Sequence, residues 1–137
     1  MIAVSTDYIS IIKALPIDAM TIFRNIAWEE YKSIVKALDN APRIRMAYDK
    51  GTLQIMTTSP KHERIAAMFG WLVLEISKGL QQHLESIRSA TLMNEVVQKG
   101  TEADDCFYIQ HASQVIGKDI DFDVDPPPDL AIEVDIT

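Results

Sequence analysis

Three carboxylates on one side of a short segment are the residues of this chain best placed to do chemistry. In DLAIEVDIT, residues 129–137, the apolar Leu130, Ile132, Val134 and Ile136 alternate with polar positions. This pattern predicts a strand with Asp129, Glu133 and Asp135 on its polar face. Aspartate and glutamate are poor strand formers, and two explanations stay open: oxygen ligands for a metal ion, or a solvated outer face. Spacing narrows the first. At about 3.3 Å per residue, Asp129 and Glu133 lie roughly 13 Å apart, and Glu133 and Asp135 about 6.6 Å. A small hard cation takes oxygens at about 2.1 Å, so Asp129 cannot share one with Glu133. A second strand must supply the missing carboxylate. Glu102 to Ile109 (EADDCFYI), an acidic pair running into an aromatic, strand-forming stretch, is the best source.

Other reactive side chains carry weaker signals. His62 falls near the edge of an apolar helical stripe, where a capping or partly buried structural role competes with a catalytic one. Glu63 lies in the first turn of the same helix, where the helix dipole favours an acidic residue with or without a ligand. His83 and His111 have no partners at ligand spacing and are expected at the surface. Cys106 is the single cysteine, which excludes an internal disulfide; with no cysteine or histidine arranged for zinc, it reads as a small buried side chain. Phe69 and Trp71 read as core. Asp119, Asp121, Asp123 and Asp125 alternate with Ile120, Phe122 and Val124, but the glycine and terminal glutamate of an EF-hand loop are missing, so a solvated acidic loop or edge strand is the better reading. No phosphate-binding glycine loop and no serine-centred nucleophile motif occurs.

These residues must be positioned by a fold of modest size. With 137 residues, 47% hydrophobic and 24% charged, the chain is expected to form a single domain with a core of ordinary size. Residues 1–26 are weakly patterned and interrupted by Pro16, and 1–40 together read as an N-terminal helical arm. Trp28, Tyr31, Ile34, Val35 and Leu38 predict a helix over 27–38, ended by Asn40, Ala41 and Pro42. Residues 43–48 and 52–57 read as two strands joined by a hairpin turn at Asp49, Lys50 and Gly51. Ser59 and Pro60 suit the start of a helix running to about 85, with Ile65, Phe69, Leu72, Val73, Ile76 and Leu80 as the stripe that packs on a sheet. Strands over 89–94, 104–110 and 129–137 complete an α+β (mixed α/β) domain.

Charge bears on partners through its distribution. The net charge of −7 argues against nucleic acid when taken alone. Residues 101–137, however, hold ten acidic side chains and one basic, a balance of −9, whereas residues 1–100 hold ten acidic and twelve basic, a balance of +2. Contacts to phosphate must then come from earlier residues such as Arg43, Arg45, Lys61 and Arg64. No stretch resembles a signal peptide or reaches membrane-spanning length, so a reducing cytoplasm is the expected location.

Three blocks in order resemble a known family: MAYDKGTLQIMTTSPKHE at 46–63, EADDCFYI at 102–109 and PPPDLAIEVDIT at 126–137, with WEEY at 28–31 similar to its usual opening helix. They are similar to a family of restriction-endonuclease-like proteins expanded in photosynthetic bacteria, within the PD-(D/E)xK nuclease superfamily. The resemblance covers roughly residues 27–137. It implies a restriction-endonuclease-like core over 41–137 with a central mixed sheet packed by the long helix, and metal-dependent hydrolysis of DNA phosphodiester bonds using Mg²⁺ or Mn²⁺. Carried over by position, Asp104 matches the aspartate of the PD element, with Ala103 in place of its proline. Glu133 matches the glutamate of the (D/E)xK element, and these two are the implied metal ligands, with the Val134 carbonyl as a possible contributor. Asp135 stands where the lysine belongs, and His62 and Glu63 match a polar pair opening the long helix.

Two departures follow. The lysine that orders or deprotonates water is replaced by Asp135, and Gln54 occupies a position where close relatives carry a carboxylate. A lysine-bearing helix expected after the last strand would fall beyond Thr137, which suggests a C-terminally shortened member. The active site is accordingly expected to be incomplete, and a non-catalytic nucleic-acid- or protein-binding module is the alternative function. A core strand left with an edge and an apolar face further suggests a homo-oligomer.

Overall fold

The computed structural model describes residues 7–136; the first six residues of the predicted arm and Thr137 of the predicted last strand lie outside the described residues. The chain divides into two compact units, residues 1–59 with 93–101, and residues 60–92 with 102–137.

The first unit opens with α1 (Tyr8–Lys13), whose first turn is closed by Asp7 accepting the Ser10 N–H at 3.0 Å. Strand β1 (Met20–Phe23) pairs antiparallel with β3 (Thr52–Thr57), which pairs with β2 (Ile44–Asp49) in the register Ile44↔Thr57 to Asp49↔Thr52. The hairpin read from the sequence is therefore present, with Asp49 belonging to β2 and the turn reduced to Lys50 and Gly51. Between β1 and β2 runs α2 (Trp28–Ala37), which buries Trp28, Tyr31 and Ile34 at three-residue spacing. The Tyr31 ring stacks on Tyr48 of β2, with centroids 4.5 Å apart and planes 8° from parallel. Strands β5 (Ala90–Asn94) and β6 (Lys99–Ala103) complete a five-stranded sheet of order β1-β3-β2-β6-β5, with β6 antiparallel to β2. A Cβ on Gly100 of β6 would stand 2.2 Å from the Tyr31 hydroxyl, so this position tolerates no side chain while the aromatic stack is in place.

The second unit contains α3 (Pro60–Gly79), β4 (Glu85–Ser86), β7 (Asp105–Tyr108), α4 (Ala112–Val115) and β8 (Leu130–Ile132). Its three strands form a sheet of order β4-β7-β8, both pairs antiparallel, with all four residues of the central β7 buried. Tyr108, Ala112 and Val115 form a small core with Ile87 and Ile120.

The architecture is α+β, as a restriction-endonuclease-like core requires, and it refines the expectation in several places. Strands are distributed over two sheets, and the pairs β1–β3, β2–β3, β2–β6, β4–β7 and β7–β8 are all antiparallel. The long helix begins at Pro60 as predicted but ends at Gly79, six residues short of the expected end. Its buried face is also different: His62, Ala66, Gly70 and Ser77 turn inward, while Phe69, Leu72, Ile76 and Leu80 of the predicted stripe, and Trp71, are exposed. Small residues are needed there because a Cβ on Gly70 would come within 2.7 Å of the Asp105 carboxylate. No helix among the described residues is long and apolar enough to cross a membrane.

Candidate active site

The acidic pair Asp104-Asp105 lies where β6 gives way to β7, and successive residues of an extended chain project to opposite sides. Asp105 is buried and ion-paired with Arg88 at 3.0 Å, with further hydrogen bonds from the Ser86 hydroxyl at 3.3 Å and the Cys106 N–H at 3.0 Å. Asp104 points elsewhere. Its Oδ2 accepts the Val134 N–H at 2.8 Å and lies 3.2 Å from Nε2 of His62, itself only 2% exposed.

The backbone explains this convergence. β8 pairs with β7 in the register Asp105↔Ile132, Cys106↔Ala131 and Phe107↔Leu130, and the Asp104 N–H still donates to the Ile132 carbonyl at 2.9 Å. One step further, Asp104 bonds to the residues on either side of Glu133, the Ile132 carbonyl and the Val134 N–H. There the ladder stops, because the Asp104 carboxylate takes the Val134 N–H that a strand partner would otherwise have bonded. The nine-residue strand read from the sequence is thus paired over three residues only, and Val134 is buried while Glu133 and Asp135 are exposed.

His62 joins the helix to this junction. Its Nε2 lies 2.8 Å from the Val134 carbonyl, which can only accept, so this nitrogen carries the proton. Nδ1 lies 3.3 Å from Oε1 of Glu63. The carboxylate of Asp104 and the carbonyl of Val134 therefore reach one common point, occupied by a ring N–H. Two oxygens of this hard type, with the Glu63 carboxylate on the far side of the ring, are the donor chemistry Mg²⁺ and Mn²⁺ prefer. Among the described residues, no three or more His, Cys, Asp or Glu side chains are grouped so as to hold an ion.

Of the residues singled out in the sequence, the structure links His62, Glu63, Asp104 and Val134 by direct contacts, and Glu133 lies between Ile132 and Val134, the two residues bonded to Asp104. Asp135 is exposed two residues on. Burial, then the charges of Asp105, Glu133 and Asp104, push the Cys106 thiol up to about 11, so it stays protonated and non-nucleophilic at neutral pH. Exposed His83 and half-buried His111 each meet one carboxylate. His83 meets Glu85 at 2.8 Å, and His111 Nδ1 meets Asp129 at 2.5 Å. Asp129, rejected as a metal ligand on spacing, instead holds the turn after β7: it accepts the N–H groups of Ile109 at 2.7 Å and His111 at 3.0 Å, and these bonds hold its carboxyl down at about 2. Sequence reasoning undervalued His62, because a lone histidine in a first helical turn has nothing nearby in sequence to distinguish a cap from a contact 72 positions away.

Residues 28–137 match the model of the Uma2 family, described as "Putative restriction endonuclease". Comparison with curated proteins and with solved structures finds no match.

Proposed function

Because the chain belongs to the Uma2 family, we propose that it carries the cation-holding part of a nuclease site and acts on DNA in a reducing, cytoplasmic setting. The observation that carries this reading is the convergence of the Asp104 carboxylate and the Val134 carbonyl on one point. Asp104, Glu133 and the Val134 carbonyl would hold Mg²⁺ or Mn²⁺, with Glu63 available from the helix. When bound, such an ion supplies the activation of water and the stabilisation of charge that phosphodiester cleavage requires.

The chain's own residues do the positioning. Without an ion, the His62 N–H occupies that point and holds the Val134 carbonyl and Asp104 relative to α3, so an ion taking the same two oxygens would displace it; the Val134 N–H fixes the rotamer of Asp104 in either case. Asp135 works in the opposite direction, since it puts a negative charge where an ammonium would orient the attacking water and balance the phosphate. In a water-poor site that difference is worth most. Lys61 and Arg64, exposed in the first turns of α3, are cations that can meet a phosphate. We therefore expect cation binding with slow cleavage or none, and non-catalytic nucleic-acid binding is the limiting case.

The test is a nuclease assay with Mg²⁺ or Mn²⁺ on single- and double-stranded DNA, comparing the unmodified chain, Asp135→Lys and Asp135→Lys/Glu133→Ala. Near-background cleavage by the first, a gain in the second and loss of that gain in the third are expected. Robust cleavage by the unmodified chain would overturn the slow-enzyme reading, and its loss in a fourth protein, Glu133→Ala, would still support the site. Identical rates in all three would leave no nuclease assignment.

A further inference from the structure

Within the second unit, the buried carboxylate of Asp105 is neutralised from the surface. Its Oδ1 accepts the Ser86 hydroxyl at 3.3 Å and the Cys106 N–H at 3.0 Å, and its Oδ2 accepts from Nη1 of Arg88 at 3.0 Å. The side chain of Asp105 is 1% exposed and that of Arg88 65%. Room for the contact comes from Gly70 on the inward face of α3, where a Cβ would stand 3.6 Å from the same Nη1.

Stability alone does not call for this pair. Arg88 has φ 60, in the left-handed region, where a residue with a Cβ is disfavoured by about 1–2 kcal/mol. An asparagine at 105 would accept the same two bonds at Oδ1 with no charge to compensate, and replacing a buried ion pair by neutral groups is often neutral or stabilising. What the neutral version would lack is an arginine head held in one orientation at the surface. One of its five N–H donors is directed at Asp105, and among the described residues no other acceptor meets the rest. Such a planar fork suits two oxygens of a phosphate, and because it is already oriented, little side-chain freedom remains to be lost on binding. The Asp104 junction meets α3 at His62, whereas the Asp105–Arg88 pair meets it at Gly70, eight residues on along the same inward face. Eight residues of helix span about 12 Å, too far for one phosphate group to touch both places.

We propose that Arg88, held by Asp105, binds a backbone phosphate of DNA other than the one at the ion; this rests on the nuclease reading and adds a second contact on the same substrate. The test is fluorescence anisotropy on a short labelled DNA duplex, with and without Mn²⁺, over about 50 to 200 mM salt, comparing the unmodified chain, Arg88→Gly/Asp105→Asn and Glu133→Ala. The double variant keeps the net charge, relieves the left-handed backbone at 88 and leaves no orphaned carboxylate; a thermal melt by circular dichroism verifies its fold. Loss of one phosphate contact should lower the slope of log K against log salt by about 0.9 and weaken binding on the order of tenfold at the lowest salt. A purely structural role for the pair would move neither in a folded variant. Equal slope and affinity in the double variant and the unmodified chain would overturn the Arg88 contact and leave the nuclease reading standing. Binding that depends on Arg88 but is indifferent to Mn²⁺ and to Glu133→Ala would support the contact and remove the cation site. No binding by the unmodified chain under either condition would overturn both.

Discussion

His62 carries the tightest set of constraints in the second unit. Its ring is buried, one nitrogen donates to the Val134 carbonyl, and the same nitrogen lies 3.2 Å from the Asp104 carboxylate. Removing the ring leaves both acceptors without that donor, and His62→Ala should cost about 1–3 kcal/mol of unfolding free energy. His62→Gln, whose amide nitrogen can reach the same point, should recover part of that loss in a urea titration; equal destabilisation by both would mean that ring packing, and not the hydrogen bond, is what matters. Asp129 makes a different prediction because its carboxyl is held at about 2, below the ordinary 3.8, by bonds from the His111 and Ile109 amides. A depressed folded-state value means that the carboxylate contributes stability above pH 4, which fades as pH falls toward 2. Asp129→Ala should therefore melt lower than the parent at neutral pH, with the gap narrowing between pH 4 and pH 2. A gap independent of pH would show that the charge is irrelevant to the turn.

Elements that announce themselves by local chemistry were legible in the sequence, and those defined by a distant contact were not. Alternation on either side of Asp49-Lys50-Gly51 gives the β2–β3 hairpin to within one residue, β2 running Ile44–Asp49 in place of 43–48, and Pro60 marks the first residue of α3. β6, Lys99-Gly-Thr-Glu-Ala103, has no apolar alternation to read; it is a strand because β2 pairs with it and Tyr31 lies over Gly100. The same logic misdirects the reading of α3, whose periodic large residues face outward because the Asp105 carboxylate comes close to the inward face at Gly70. β8 was overextended because alternation cannot reveal that the Asp104 side chain replaces a ladder bond at Val134. Gly100 offers the clearest test of these close approaches. Gly100→Ala forces the methyl onto the Tyr31 hydroxyl and should cost about 1–3 kcal/mol, a fall of several degrees in Tm; Gly79→Ala, which would meet nothing within 4 Å, should cause no comparable loss. Equal melting of the two variants would show that the Tyr31–Tyr48 stack shifts freely.

At the scale of the whole molecule, charge and site location coincide. The segment that supplies Asp104, Glu133 and Asp135 has a balance of −9, and the rest of the chain a balance of +2. Such a segment repels phosphate unless cations neutralise it, so the family's proposed chemistry depends first on whether this chain binds an ion at all. The sequence proposes Asp104 and Glu133 as the two carboxylates, while the contact of His62 with Asp104 and Val134 and the use of the Val134 N–H emerged only from the fold. The most direct measurement is Mn²⁺ binding by the unmodified chain, Asp104→Asn, Glu133→Ala and Asp129→Ala, followed by calorimetry or by loss of the free-ion resonance. Weak one-site binding by the unmodified chain and by Asp129→Ala is predicted, with a loss of more than about 1.4 kcal/mol, tenfold in Kd, in Asp104→Asn and Glu133→Ala. Equal binding by all four proteins, or none by the unmodified chain, would contradict the assignment of the Asp104–Val134 junction as a cation site.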